Sequence, residues 1–447
     1  MIERTCDRPT ACQHENTKPR NHEKDLFGLE RDLPLSFLRV FVLSCLVGGG
    51  WLAAGTAAQQ RASADWPQWR GPNRDGVATS FTEPKSWPEQ LTKKWKVDVG
   101  IGYATPVLVG ERVYMFSRRG DEEVLAALAA DTGREIWHTG YAVSFNLNPA
   151  AARHEKGPKS TPTFAAGKLY TLGMTGIVSA FDAASGRLLW QKPAPPVNPL
   201  YHTAMSPLVD RGLVIVHVGG HDKGALTAFD SNSGAVKWSW NGDGPSYGSP
   251  IAVDADGTRQ IVVLTQENLV GVDEATGALL WKRPFSTQYT QNIITPIVYG
   301  AAIIISGLEK GVTEFRIVKR NGQWATENVW DTQDVALYMT NAVVVHDMVI
   351  GMSHKNSGQF FALDARTGNT LWKSEPRQAT NAAIERAGDY VFLLKDDAEL
   401  IVAKPTTTGL GVVKRYTVAD SATWSAPAIV GSRMFVKDAN SLALLTW

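Results

Sequence analysis

The chain has 447 residues, and its 45 basic and 44 acidic side chains leave a formal net charge of +1. That balance supplies no basic field of the kind nucleic acid requires. The three cysteines, Cys6, Cys12 and Cys45, lie in the N-terminal part. A disulfide framework, a thiolate-bound metal and a thiol nucleophile are therefore excluded from everything after Cys45, and a thiol-free domain suits an oxidising compartment.

Residues 1–32 form a polar extension without hydrophobic periodicity, to which no structure is assigned. Residues 33–58, preceded by Arg31, carry Arg39 near their start, an apolar run from Val40 to Ala54, and the small residues Thr56, Ala57 and Ala58. This is the pattern of an export signal or of an uncleaved membrane anchor. The polar stretch before it is long for a signal, so the true start is expected downstream of Met1. Periplasmic or exported localisation follows, with membrane attachment through residues 33–58 as an option. Residues 59–92 read as a linker containing the segment Trp66-Pro67-Gln68-Trp69-Arg70-Gly71-Pro72-Asn73-Arg74-Asp75-Gly76.

From Lys93 a degenerate repeat governs the chain. Segments 128–137, 180–190, 228–238, 272–281 and 362–372 carry an Asp (131, 182, 230, 273, 364), a Gly (133, 186, 234, 277, 368) and a closing Trp (137, 190, 238, 281, 372). A fifth repeat in chain order has lost the Asp and ends at Trp330, and a seventh ends near Tyr416. Spacings of about 40 to 50 residues match four short strands with their turns, the period of a propeller blade. Thr105-Pro106, Thr161-Pro162, Ser206-Pro207, Ser249-Pro250, Thr295-Pro296 and Ala426-Pro427 each open an apolar run, and Pro is tolerated at a strand's start. The Gly supplies the positive φ of the hairpin turn. Trp95, Trp137, Trp190, Trp238, Trp281, Trp330 and Trp372 are read as docking residues that fill the wedge between diverging blades.

After Tyr416 only three strand candidates follow, beginning at Ser425, Arg433 and Leu442. Lys93-Lys94-Trp95-Lys96-Val97 reads as the missing outer strand, which closes the ring and removes its open edges. The fold expected is thus all-β, an eight-bladed propeller over residues 93–447 whose last blade is completed by an N-terminal strand.

The Ala-x-Asp-x-x-Thr/Ser-Gly-x-x-x-Trp repeat and the Trp66–Gly76 segment resemble the pyrroloquinoline-quinone-like (PQQ-like) propeller family over about residues 65–447. That resemblance implies one of two functions. BamB-type members are non-catalytic scaffolds of the outer-membrane protein assembly machine, without a cofactor. Quinoprotein dehydrogenases hold PQQ and Ca²⁺ in the central funnel, use an Asp as base, and often place a Cys pair over the quinone. The absence of Cys from the repeats and the scarcity of long inserts favour the scaffold. The expectation is an exported, monomeric, non-catalytic scaffold that binds a protein partner or a ligand in the cell envelope, with no cofactor and no nucleic acid. A PQQ-dependent alcohol or sugar dehydrogenase is the alternative, and PQQ and Ca²⁺ belong to it alone.

Loops from each outer strand to the next inner strand share a face with those joining second and third strands, and such loops carry function on rigid scaffolds. They supply Lys156, Lys159, Tyr201, His202, Gln266, Glu267, Glu309, His354, Lys395 and Asp396 as candidate ligand-binding residues at a funnel mouth. Lys156, Lys159, His202 and His354 suit an anion or a quinone; a solvated polar rim is the competing reading. No residue is named as catalytic and no metal ligand is assigned. No nucleophile elbow, P-loop or Gly-rich dinucleotide motif occurs.

Overall fold

The computed structural model describes residues 65–447. The polar extension, the apolar segment 33–58 and the three cysteines lie outside the described residues. No helix among the described residues is long and apolar enough to cross a membrane.

Eight sheets are found among the described residues, seven of four strands and one of five. Each has four antiparallel strands side by side, and together they form the eight-bladed propeller expected. Blades one to seven occupy residues 107–142, 163–192, 208–240, 251–284, 297–332, 343–373 and 382–417. Blade eight combines Ala428–Val430, Arg433–Lys437 and Ser441–Thr446 with Thr92–Asp98. In this closure Thr92 faces Thr446 and Asp98 faces Ser441.

The repeat motif resolves into specific contacts. Asp230 Oδ1 accepts hydrogen bonds from the backbone N–H of Asn232 and Ser233 and from Ser233 Oγ. Asp182 with Ser185, Asp273 with Thr276 and Asp364 with Thr367 repeat the staple. Such Asx geometry locks the turn ahead of the Gly. Gly186, at φ +75°, lies under the ring of Trp137 in the preceding blade, and Gly234, Gly277 and Gly368 lie under Trp190, Trp238 and Trp330. Several of these indoles also donate to the neighbouring blade, Trp95 to Ala130 O, Trp190 to Ser231 O, Trp238 to Glu274 O and Trp330 to Ala365 O. The motif's Ala is the cross-strand partner of the Trp, Ala180 facing Trp190 and Ala228 facing Trp238.

Three repeats depart from this scheme. In blade one Ala129, not Asp131, holds the position of Asp182: each accepts from the turn glycine and donates to the residue after it. Blade one therefore lacks the carboxylate staple. In blade seven Lys414 takes the Trp register, facing Val402 beside the bulge, while Tyr416 donates to Pro88 O of the N-terminal segment. Blade five has no Thr-Gly turn between its third and fourth strands, which run on as Val312–Arg320 and Gln323–Thr332. Deprived of a glycine to cover, Trp281 folds back over Gly271 of its own blade and donates to Gln260 Oε1 at 2.7 Å.

The residues before each inner strand form a relay around the axis. The N–H of Thr105 donates to Thr161 Oγ1, that of Thr161 to Ser206 Oγ and that of Ser206 to Ser249 Oγ. Asn341 Oδ1 plays the same part for Thr295 N–H. The Thr/Ser-Pro pairs thus satisfy backbone donors left free at the channel, where strands diverge from one another.

Segment 65–92, expected as a linker, packs onto the ring. Trp66 pairs with Leu108 of blade one, and Val77–Ala78 adds a parallel strand to Ala382–Ala387 of blade seven. Arg74 donates to Ser206 O and Pro207 O of blade three, and Arg70 to Ala342 O of blade six. Phe81 and Trp87 then pack with Tyr390, Phe392 and Trp447 between blades seven and eight.

Candidate functional site

A cavity of about 290 Å³ lies on the axis, between the hydroxyl relay and the loops of one face. Its floor is the indole of Trp69, fixed by an Nε1–H donated to Thr295 Oγ1 at 3.0 Å. Its walls include Tyr201, Tyr247 and Tyr338. Tyr201 N–H donates to Tyr247 Oη at 3.1 Å, and Tyr338 Oη donates to Gln291 Oε1.

The roof comes from the insert between blades one and two. Asn148 caps the 3₁₀ turn Pro149–His154 through Oδ1 and the N–H of Ala150, and a proline follows it where no amide donor is needed. This turn sets His154 edge-on to Trp424, with ring centroids 4.5 Å apart, and Arg153 over the same indole at 5.4 Å. Lys159, at the end of the insert, lines the cavity and donates to Tyr201 O at 3.3 Å.

Arg153, His154 and Lys159 are the ionisable nitrogen groups in the lining, and the lining contains no Asp or Glu. Burial pushes the Lys159 ammonium down to about 8. Burial, with Arg153 and Lys159 nearby, pushes His154 down to about 4, so its imidazole is neutral at pH 7. The cavity is therefore apolar in its faces and cationic in its charge.

Of the ten residues expected at a funnel mouth, Lys159 and Tyr201 line this cavity. The other eight are distributed around the rim. Lys156 is exposed, with Nζ 5.7 Å from the Phe145 ring. His202 is buried at φ +61°, pairs with Asn146 O at 2.9 Å and packs on Phe145, which anchors the roof; burial lowers its pKa. Gln266 spans to Asp222 with both amide atoms. Glu267 is exposed and is held through its backbone N–H by Asp243. Glu309 and His354 pair at 2.7 Å, which lowers the Glu309 pKa. For Lys395, burial lowers the pKa, but hydrogen bonds to Glu399 and Asp397 outweigh it and the net direction is upward. Asp396 accepts from Asn381 N–H and Thr380 Oγ1.

Trp69, Tyr103, Arg153, Tyr247 and Trp424 were not anticipated as cavity residues. Only Trp69 carried a signal, as a second tryptophan in a dense N-terminal motif.

Above the cavity the rim is knit by polar side chains. Asn292, fully buried, accepts from Thr287 Oγ1 and donates to Thr265 O, Gln266 O and Phe285 O. This holds the turn Gln288–Thr290, in which Tyr289 and Thr290 both adopt positive φ. The Tyr289 side chain stands 68% exposed, and Val197 and Leu200 are also exposed on the loop after blade two. Leu200 N–H donates to His221 Nε2, and Ser246 Oγ to Thr290 O, so these loops form one continuous edge.

A family model described as outer membrane protein assembly factor BamB matches residues 120–374. BamB of Yersinia pestis is 25% identical over 372 residues, covering 77% of this chain and 86% of its own length. Quinohemoprotein alcohol dehydrogenase ADH-IIG of Pseudomonas putida is 27% identical over 229 residues, 46% of this chain but 30% of the enzyme. Among solved structures, BamB of Moraxella catarrhalis superposes with a TM-score of 0.58 at 17% identity, covering 80% of this chain and 98% of that one. The P. putida HK5 dehydrogenase gives 0.59 at 14% identity, with 86% and 80% covered. The superpositions show a shared propeller fold, and the match over more than half of the sequence places the chain in the BamB-type family of PQQ-like repeat proteins.

Proposed function

We propose that the protein is a non-catalytic scaffold of the cell envelope that docks a protein partner of the outer-membrane assembly machinery on the rim around its axial cavity. The observation that carries this reading is the rim itself: Tyr289, Val197 and Leu200 are presented outward on loops braced from beneath by Asn292, His221 and Ser246. Aromatic and aliphatic groups on a rigid polar frame are the usual anchors of protein interfaces. Two consecutive left-handed residues, Tyr289 and Thr290, are a strained conformation retained at the most exposed large hydrophobic side chain among the described residues. The assembly-factor relatives, matched over most of their length, support the same reading.

The dehydrogenase alternative draws on the P. putida match and on the axial cavity. The donor set does not suit it. Ca²⁺ takes carboxylate and carbonyl oxygens, whereas the lining holds no carboxylate, and no cluster of three or more His, Cys, Asp or Glu able to hold a metal occurs among the described residues. A general base of the expected kind is likewise missing from the lining, so no catalytic step is derived through a quinone.

The test is affinity capture from detergent-solubilised envelopes with the full chain and with a Tyr289→Ser/Leu200→Ser variant. Outer-membrane assembly components should be retained by the first and lost, or reduced at least about tenfold, with the second. Recovery of none by the native chain would overturn the proposal.

A further inference from the structure

The inner strand of each blade turns one edge to the channel, and these edges are not treated alike. In blade one Val109 and Arg112 flank the two-residue turn Gly110-Glu111 and bond each other, so the N–H and C=O of Leu108 point to the axis. The same register gives that position to Phe164, Val209, Ala252, Val298, Val344 and Arg386 in blades two to seven. Several of the edges are filled. Leu108 exchanges both bonds with Trp66, the N–H of Phe164 donates to Pro67 O, and that of Arg386 to Gly76 O. Val344 O accepts from Arg386 Nη1, and blade eight is paired at Gly431 with Ser80 and Thr82. Among the described residues no partner reaches the inward backbone groups of Val209, Ala252 or Val298, which belong to three adjacent blades. A cleft of about 500 Å³ opens along these three edges, between blades three to five and segment 68–75. It lies beside the turns joining first and second strands, at the end of the ring away from the rim. Its wall is apolar, from Leu208, Ile251, Pro296 and Val298, and Val298 is 46% exposed. Its charges are matched: Arg259 bonds both oxygens of Asp210, and Arg74 enters together with Asp75. Open backbone donors and acceptors beside an apolar wall without excess charge suit a polypeptide main chain rather than an ion.

We infer that this cleft takes a short, uncharged, extended peptide from a partner protein, which adds its main chain to the inner edges of blades three to five. The chain's own segment 76–80 is the template. Gly76 O accepts from Arg386 of blade seven and Ser80 O from Gly431 of blade eight, so a run of five residues spans two neighbouring edges. Its middle, Val77–Ala78, carries only small and β-branched side chains and pairs in parallel with Ala382–Ala387. The incoming peptide does the same on the edges that this segment leaves open. Main-chain bonds give such strand addition its affinity, and the apolar wall around Val298 selects small or β-branched side chains.

The test uses the full-length protein and the capped pentapeptide Gly-Val-Ala-Thr-Ser, the sequence of residues 76–80, whose own edges in blades seven and eight are already occupied. Fluorescence polarisation of the labelled peptide should show saturable 1:1 binding. An analogue N-methylated at each backbone amide should bind at least about tenfold more weakly. Hydrogen exchange at the amides of Val209, Ala252 and Val298 should slow on addition of the peptide, and exchange at Leu108 and Phe164 should not change. Ala252→Pro removes an inward N–H that takes no part in the ladder to the second strand, and should weaken the peptide about tenfold. Ala252→Ser keeps that N–H and should bind as the native chain does. Thermal melts of each variant separate loss of fold from loss of binding. Equal affinities for the peptide and its N-methylated analogue, unchanged exchange across blades three to five, an unchanged affinity in folded Ala252→Pro, or no saturable binding would overturn the inference. The rim residues take no part in this site, so such a result leaves the envelope capture experiment untouched.

Discussion

Glycine under tryptophan is the smallest unit on which this fold depends. A Cβ at Gly186 would sit 2.5 Å from the Trp137 ring, at a φ of +75° that side chains avoid. Gly167 has the same φ but nothing within 4 Å of the corresponding position. The pair separates packing from backbone strain. Gly167→Ala should cost about 1 kcal/mol, the left-handed penalty alone. Gly186→Ala should cost about 2–4 kcal/mol, because the indole must also move. Equal shifts in the denaturation midpoint would show that the Trp–Gly contact contributes nothing. The turn glycine and the docking tryptophan were each legible in the sequence, because they recur at a fixed spacing within a repeat; that the glycine lies under the tryptophan of the preceding blade was not, because blade lengths differ and that separation varies. The Lys414 register was not legible either, because a bulge beside Val402 and Ala403 shifts the last strand and no residue type marks it.

At the scale of the element, the strand Thr92–Asp98 is decisive. It supplies the outer edge of blade eight and sets Trp95 against Gly133 of blade one. Deleting residues 93–97 removes a cross-strand ladder and a wedge residue together. The apparent melting temperature should fall by on the order of 10 °C, with loss of a single sharp transition. An unchanged melt would refute closure by this strand. The closure could be read from the sequence by counting strands after Tyr416. The cavity could not. Trp69 and Thr295 meet across 226 residues, and Lys159 and Tyr201 across 42, with no periodic pattern linking either pair. Repeats advertise contacts between like positions; a funnel is lined by whatever each connecting loop happens to carry, and the roof insert 143–162 is the longest of the connections between blades.

For the molecule as a whole, the buried group with the clearest consequence is Glu385 on the inner strand of blade seven. Burial pushes its carboxyl up to about 8; the Arg70 guanidinium opposes this and does not overcome it. In the unfolded chain the same carboxyl titrates near 4.5. Below that pH both states hold the proton and the group is neutral to stability. Between about 4.5 and 8 the unfolded chain ionises while the folded one keeps its proton, so stability falls as pH rises, and above 8 the penalty is constant. Glu385→Gln should therefore gain on the native protein progressively from pH 5 to pH 8 in melting temperature. A difference that does not change with pH would show that Glu385 is ionised in the fold.

The N-terminal segment between Asp65 and Asp98 bonds to blades one, two, three, five, six, seven and eight before the chain enters blade one. All of those partners are synthesised after it. The outer strand of blade eight emerges first and its mate Ser441–Thr446 last, so at about 5–20 residues per second the strand stays unpaired for roughly 20–70 s. Through that interval Thr92–Asp98 is a free β-edge, open to pairing with a second nascent chain. Lys93, Lys94 and Lys96 lie along it. Lys96 is tied to Asp420 and Asp438 once the ring is complete; until the C-terminus arrives, three like charges on one short strand disfavour its pairing with a copy of itself.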